Sequence, residues 1–144
     1  MRYLLDTNIV SESRKLLTAR IDPFAAAWLS RIDVEATFLS AMTVFELERG
    51  IRQLERRDAA QGLVLRRWMS DQIMATYENR ILPLSGTVAL VCAGLHSPDP
   101  KSERDAWIAA TAIDAGLTLA TRNVGDFAKM GVMLVNPFEY RTDD

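Results

Sequence analysis

The chain has 144 residues, a formal net charge of −2 and a sequence pI of about 5.5. This length allows one domain with a sizeable core, and the slightly acidic balance argues against a protein that coats nucleic acid through bulk positive charge. A single cysteine excludes an internal disulfide, and with a single histidine it argues against a zinc site of the usual composition.

We expect neither a secretory signal nor a membrane span. Asp6 interrupts the apolar start of the chain, whereas a signal needs a longer apolar run behind a basic segment. No other stretch stays apolar for the roughly 20 residues that a membrane-spanning helix requires. The expected location is therefore the cytoplasm, with no membrane contact.

Apolar runs and helix caps define the first elements. Residues 2–5 predict a short buried strand, and residues 7–15 predict a helix. Asp22 and Pro23 predict the start of the next helix, because aspartate accepts from free backbone amides and proline needs no donor there. The inward-facing side chains of that helix are expected to be Phe24, Trp28 and Leu29.

A pair of long helices is predicted after a strand at 36–40. Thr43 is expected to begin the first helix, and residues 59–77 form the second, so that the two make a hairpin. Four arginines on the first helix could hold phosphates or form a solvated face paired with Glu48 and Glu55. These arginines are Arg49, Arg52, Arg56 and Arg57.

The second half of the chain continues the alternation of strands and helices. We predict, in order, strand 81–84, helix 86–91, a loop over 96–102, helix 103–115, strand 117–120, a loop or turn over 121–126 and strand 132–135. Strands separated by helices indicate an α/β fold with a parallel sheet and helices on both faces. Because no linker or repeat interrupts the pattern, we expect one domain over residues 1–144.

Four acidic residues fall near the carboxyl ends of predicted strands or at helix starts, where function collects in parallel sheets. They are Asp6, Glu46, Asp105 and Asp126. Carboxylates that share one rim repel each other, so their convergence would require a cation. A donor set made only of oxygen suits Mg²⁺ or Mn²⁺, and such an ion could polarise a phosphodiester.

Simpler roles stay open for three of these acids. Thr43-x-x-Glu46 also has the spacing of a capping box, and Ser102-x-x-Asp105 has a similar spacing. Asp126 alone could be a turn residue. Asp6 is harder to explain structurally, because a carboxylate against an apolar strand costs desolvation unless a partner holds it.

Several segments resemble the motifs of the PIN-domain family, in the family's order. They are residues 4–8 (LLDTN), 39–47 (LSAMTVFEL), 105–112 (DAWIAATA), 119–127 (LATRNVGDF) and 135–138 (VNPF). The resemblance covers nearly the whole chain and is strongest to the VapC-type toxin ribonucleases of type II toxin–antitoxin systems. It implies a three-layer α/β/α fold with a central parallel sheet of four or five strands and a protruding helix pair.

The resemblance also implies Mg²⁺- or Mn²⁺-dependent cleavage of RNA and a set of site residues. It assigns three core acids to Asp6, Glu46 and Asp105. Some relatives carry the fourth acid where this chain has Asn123, and others carry it three residues later, at Asp126. The hydroxyls implied to support the acids or the substrate are those of Thr7, Thr121 and Ser40.

The implied partner is a small VapB-type antitoxin whose tail lies in the toxin groove and often places an arginine on the acids. Operator DNA is expected to be bound only through the toxin–antitoxin complex. The helix pair near residues 43–79 is implied to form much of a homodimer surface.

Other classes of protein fit the sequence less well. A haloacid-dehalogenase-like phosphatase needs a second aspartate where this chain has Asn8, and Lys129 is poorly placed for a response-regulator receiver. A catalytically silent PIN-like binding module would have no reason to keep four mutually repelling acids. A metal-dependent nuclease acting on DNA is the remaining alternative, and the short chain shows no obvious element for gripping a duplex.

Overall fold

Strands and helices alternate in the computed structural model, which describes residues 1–142. The strands are β1 (Tyr3–Leu5), β2 (Thr37–Ser40), β3 (Ile81–Leu82), β4 (Thr118–Ala120) and β5 (Leu134–Val135). The α-helices are α1 (Thr7–Ser13), α2 (Pro23–Arg31), α3 (Ala41–Arg57), α4 (Ala59–Trp68), α5 (Gly86–Leu95), α6 (Glu103–Ala115) and α7 (Val124–Phe127). Single 3₁₀ turns cover Val34–Ala36 and Pro137–Glu139, and a π-helical turn, Met69–Met74, continues α4.

The five strands form one parallel sheet in the order β3-β2-β1-β4-β5. This confirms the predicted α/β class and settles the strand count at five. Because the chain leaves β1 toward β2 and returns to the other side of β1 with β4, the strand order reverses between β1 and β4. A crevice outside the carboxyl ends of these two strands is the expected place for a functional site. Asp6 follows β1 there, and Thr121 follows β4.

Both faces of the sheet are covered by helices, because successive strand residues point to opposite sides. Leu5 packs with Ile9, Leu47 and Ile73 on one face. On the other face Leu4 packs against Ile108 of α6 and its neighbours. The predicted three-layer arrangement is therefore confirmed.

Helices α3 and α4 form the predicted hairpin. Asp58 ends α3 and caps α4, where its Oδ1 accepts a hydrogen bond from the backbone amide of Gln61 at 3.1 Å. The helices approach so closely at Gly62 that a Cβ there would lie 2.7 Å from Cα of Glu55. Glycine is thus required at this contact.

Two expectations about these elements are wrong. Helix α3 begins at Ala41 rather than Thr43, because the Ser40 hydroxyl accepts from the Met42 amide at 3.0 Å and caps the helix earlier. Phe24 is 39% exposed, and the Arg141 guanidinium lies 3.7 Å above its ring centroid. The helix predicted over 59–77 is present: α4 continues through the π-helical turn Met69–Met74 and one further α-helical turn.

Among residues 1–142, no helix combines the length and apolarity that crossing a membrane demands.

Candidate active site

Asp6 is a fully buried carboxylate at the end of the central strand. It caps α1 by accepting a hydrogen bond from the Thr7 amide on Oδ1 at 2.8 Å. Its Oδ2 accepts from the Thr121 hydroxyl, also at 2.8 Å, across from the end of β4. These donors offset the cost of burying the charge and fix both oxygens in place.

Glu46 projects from α3 toward Asp6 and its neighbour. Its Oε1 accepts a hydrogen bond from the Thr7 hydroxyl at 2.7 Å, and that hydroxyl lies 3.2 Å from the hydroxyl of the buried Thr43. Burial alone raises the pKa of Glu46, but hydrogen bonds from Arg104 and Thr7 outweigh it, so the pKa lies below its ordinary value of 4.5. Since α3 begins at Ala41, Glu46 is too far into the helix to close a capping box.

Asp105 lies in the first turn of α6. The Ser102 hydroxyl caps this helix by accepting a hydrogen bond from the Asp105 backbone amide at 3.4 Å. This is one of the two hydrogen bonds of a capping box. The Asp105 carboxylate instead accepts a hydrogen bond from Arg104 at 2.8 Å on Oδ1. The Asp105 side chain therefore faces the Arg104 guanidinium, as the side chains of Asp6 and Glu46 do.

The guanidinium of Arg104 joins the three carboxylates. Its Nη2 donates to Asp6 Oδ1 at 2.7 Å, its Nε to Glu46 Oε2 at 2.8 Å and its Nη1 to Asp105 Oδ1 at 2.8 Å. Burial lowers the pKa of Arg104, while the bond to Glu46 and the charge of Asp6 raise it by more, so it stays protonated. We call Asp6, Glu46, Asp105 and Arg104 the acid cluster.

A divalent metal ion was expected among these acids, and the structure places the Arg104 guanidinium there. Within residues 1–142, no three acidic, histidine or cysteine side chains stand close enough to hold a metal ion as they are arranged. The chemistry of the pocket nevertheless fits Mg²⁺ or Mn²⁺, because its donors are carboxylate oxygens and a cationic group already lies among them.

The remaining predicted site residues fall into two groups. Thr7 and Thr121 contact the acids, as described above. Ser40 instead caps α3, and Asn123 and Asp126 are exposed near α7. In the part of the chain that the structure describes, the Asp126 side chain has no recorded hydrogen bond or ion pair. The structure thus brings three of the four predicted acids together and leaves Asp126 outside their contacts.

Two residues of the site were missed from the sequence. Arg104 is one of them, because a cation beside Asp105 in a first helical turn does not show that its side chain reaches Asp6 and Glu46. The other is Asn8, whose side chain links the carboxyl ends of β1 and β4. Its Nδ2 donates a hydrogen bond to Asp6 Oδ2 at 3.4 Å, and its Oδ1 accepts one from the backbone amide of Arg122 at 3.1 Å. Its place two residues after Asp6 was the available clue.

The family model described as "PIN domain" matches residues 3–132 of the chain. Toxin FitB of Neisseria gonorrhoeae is 34% identical over 140 residues, which cover 94% of this chain and 97% of that protein. VapC ribonuclease Y4jK of Sinorhizobium fredii is 29% identical over 141 residues, with coverage of 94% and 97%.

Solved structures show the same relationship. The crystal structure of FitAcB from Neisseria gonorrhoeae superposes with a TM-score of 0.86 at 34% identity, covering 95% of this chain and 99% of that one. The structure of FitAB bound to an IR36 DNA fragment superposes with a TM-score of 0.86 at 32% identity, and the match covers 99% of both chains. The chain therefore belongs to the PIN-domain family, with toxin FitB and VapC ribonuclease Y4jK among its relatives.

Proposed function

We propose that this chain is a divalent-metal-dependent endoribonuclease toxin, acting as one domain over residues 1–144 in the cytoplasm. One observation carries the proposal: carboxylates from three separate segments, Asp6, Glu46 and Asp105, meet around one cationic group. The relatives named as ribonucleases and toxins support RNA as the substrate.

Asp6, Glu46 and Asp105 would hold Mg²⁺ or Mn²⁺, with Asp126 as the proposed fourth acid. A bound ion of this kind would polarise the scissile phosphodiester. The chain's own residues keep the acids ready for that task. Thr7 and Thr121 hold Glu46 and Asp6 in place through hydrogen bonds from their hydroxyls.

An antitoxin of the VapB type is the proposed partner. An apolar groove of about 590 Å³ lies beside α1 and α2 and extends to the π-helical turn. Leu16 and Leu17 line it, and Leu17 is fully exposed. A partner helix or tail could cover these side chains and so gain the free energy of burying apolar surface.

Contact with operator DNA is proposed only for the complex with the antitoxin. FitAB is one related assembly whose structure includes DNA, and this chain's own composition is slightly acidic. The homodimer expected from the resemblance also stays a prediction. Apolar side chains on the hairpin are exposed and would suit such a contact: Phe45, Leu63 and Val64.

The sharpest test uses Asp105→Asn, because within residues 1–142 that carboxylate accepts a hydrogen bond from Arg104 alone, so the change disturbs few contacts. The wild-type protein should cleave RNA in the presence of Mg²⁺ or Mn²⁺, and EDTA should abolish this cleavage. The Asp105→Asn variant should not cleave RNA under either condition. Asp114→Asn, an exposed aspartate on the same helix, is the matched control and should cleave normally.

Sequencing the 5′ ends of fragments after brief expression identifies the RNA that is cut. A single-stranded DNA of the same sequence is tested in parallel. Cleavage of DNA alone would replace the ribonuclease assignment with a DNA nuclease. Absence of cleavage, with no metal-induced rise in melting temperature, would favour a binding module.

A further inference from the structure

The Arg104 guanidinium occupies the place where the proposed function needs a divalent cation. Its three hydrogen bonds use Asp6 Oδ1, Glu46 Oε2 and Asp105 Oδ1, at 2.7 to 2.8 Å. These oxygens are also the natural ligands for a metal ion in the pocket. A guanidinium and a divalent ion carry charge of the same sign, so they repel each other when both approach these oxygens.

Helix stability does not explain an arginine at this position. Arg104 lies in the first turn of α6, directly after the capping Ser102 and Glu103. Backbone amides there carry partial positive charge, so a cationic side chain is less favourable than an acidic one. A residue that conflicts with its local environment is often kept for the site that it serves.

The pocket keeps an attraction for a divalent ion even with the arginine present. Three carboxylates face one guanidinium, which leaves two negative charges uncompensated among these four side chains. Asp6 also keeps the Thr7 amide and the Thr121 hydroxyl as donors if the arginine leaves, and Glu46 keeps the Thr7 hydroxyl. These two acids therefore stay positioned without Arg104.

The arginine has a way out of the pocket. Its side chain is 30% exposed, whereas Asp6 is fully buried, so the arginine lies at the solvent side of the pocket. Rotation about the bonds of a long side chain can carry the guanidinium into water without moving α6. The exchange needs no change in the fold.

We propose that Arg104 is a built-in competitor of the divalent metal: it binds the three carboxylates of the acid cluster in the metal-free toxin and must rotate away from them before the ion binds. This inference rests on the proposed function. When only a fraction of a protein is competent to bind, its apparent affinity falls by that fraction. The metal concentration would then control how much of the toxin is active.

The test is a calorimetric titration of the purified full-length chain with Mn²⁺ alone. Arg104→Ala should bind Mn²⁺ about tenfold more tightly than wild type if the arginine fills the pocket in roughly 90% of the free protein. Arg104→Lys keeps a charge but cannot reach three carboxylates at once, so its dissociation constant should be intermediate. That variant also gives a result if Arg104→Ala does not fold.

Arg66→Ala is the matched control, because Arg66 also joins acidic side chains, Glu48 and Glu55, but outside the acid cluster. It should leave the Mn²⁺ dissociation constant unchanged. A second readout is thermal unfolding: in EDTA, Arg104→Ala should melt below wild type, and Mn²⁺ should raise its melting temperature by the larger amount.

Equal or weaker Mn²⁺ binding by Arg104→Ala would overturn the competitor role while leaving the proposed metal site intact. An equal gain in Arg66→Ala would also overturn it, since the effect would then be one of overall charge. If neither wild type nor Arg104→Ala binds Mn²⁺, both this inference and the proposed metal dependence fail.

Discussion

Two arginines in this protein hold pairs or triplets of carboxylates, and their settings differ. Arg66 joins Glu48 and Glu55 within the α3–α4 hairpin, at sequence separations of 18 and 11 residues. We call this group the hairpin cluster. Arg104 joins Asp6 and Glu46 across separations of 98 and 58 residues, and Asp105 beside it.

The hairpin cluster depends on local contacts, whereas the acid cluster depends on the whole fold. The hairpin cluster forms as soon as two consecutive helices pack. Its side chains are each about one-third exposed, and ion pairs that water reaches contribute little. The acid cluster requires β1, α3 and α6 to be in place, and it buries Asp6 completely. Similar chemistry thus stabilises a hairpin in one region and assembles a candidate active site in the other.

The largest expected effect is a difference in RNA cleavage between substitutions of two glutamates on α3, Glu46 and Glu48. Glu46→Gln removes a carboxylate from the acid cluster, and we expect RNA cleavage to fall by about a hundredfold or more, at or above the loss typical for groups that support a metal. Glu48→Gln removes one from the hairpin cluster and should leave the cleavage rate unchanged. Steady-state cleavage assays of both variants measure the difference, and equal losses would contradict the distinction.

A second pair of variants tests how burial changes the contribution of a threonine hydroxyl to the free energy of unfolding. Thr121→Val removes the hydrogen bond to buried Asp6, and we expect the free energy of unfolding to fall by about 1–3 kcal/mol. Thr18 also donates one hydrogen bond and accepts another, but at the surface. Thr18→Val should change stability by less than about 0.5 kcal/mol. Urea denaturation of both variants provides the values.

Asp126 tests whether the acid cluster extends beyond its observed contacts. Its side chain is exposed, so Asp126→Asn should leave stability unchanged and reduce cleavage by less than about tenfold, a change of under roughly 1.4 kcal/mol. A loss as large as that of Glu46→Gln would place Asp126 on equal terms with the three other acids. Cleavage assays at saturating Mg²⁺ make the comparison.

The smallest effect is the pH dependence of the hairpin cluster. Hydrogen bonds from Arg66 and then Arg52 lower the pKa of Glu48 from 4.5 to about 2. A lowered folded-state pKa stabilises the protein above pH 4.5, and this contribution is lost as the pH falls toward 2. Because the carboxylate is 30% exposed, we expect at most about 1 kcal/mol. The difference in unfolding free energy between wild type and Glu48→Gln should shrink on acidification; a constant difference would contradict the assignment.

Much of the fold could be predicted because its signals are local. Apolar runs marked the strands, Asp22 and Pro23 marked a helix start, and Gly116 ends α6 with a positive φ of 68°. The start of α3 was missed because Ser40 and Thr43 both suit a cap, and only the structure shows which one is used. Phe24 was misplaced because its partner, Arg141, is more than a hundred residues away.

The acids of the site could be predicted as well, because strand ends in a parallel sheet converge. The role of Arg104 could not, since nothing local indicates that its side chain reaches Asp6 and Glu46. The cation that the acids require was expected to be a metal ion, and the structure shows a guanidinium among them.

Diffraction from crystals soaked in Mn²⁺, measured at a wavelength where manganese scatters anomalously, tests the central claim most directly. The account predicts one strong anomalous peak within ligand distance of Asp6, Glu46 and Asp105, with the Arg104 guanidinium turned toward solvent. A peak elsewhere on the surface, with Arg104 still bound to all three carboxylates, would contradict it.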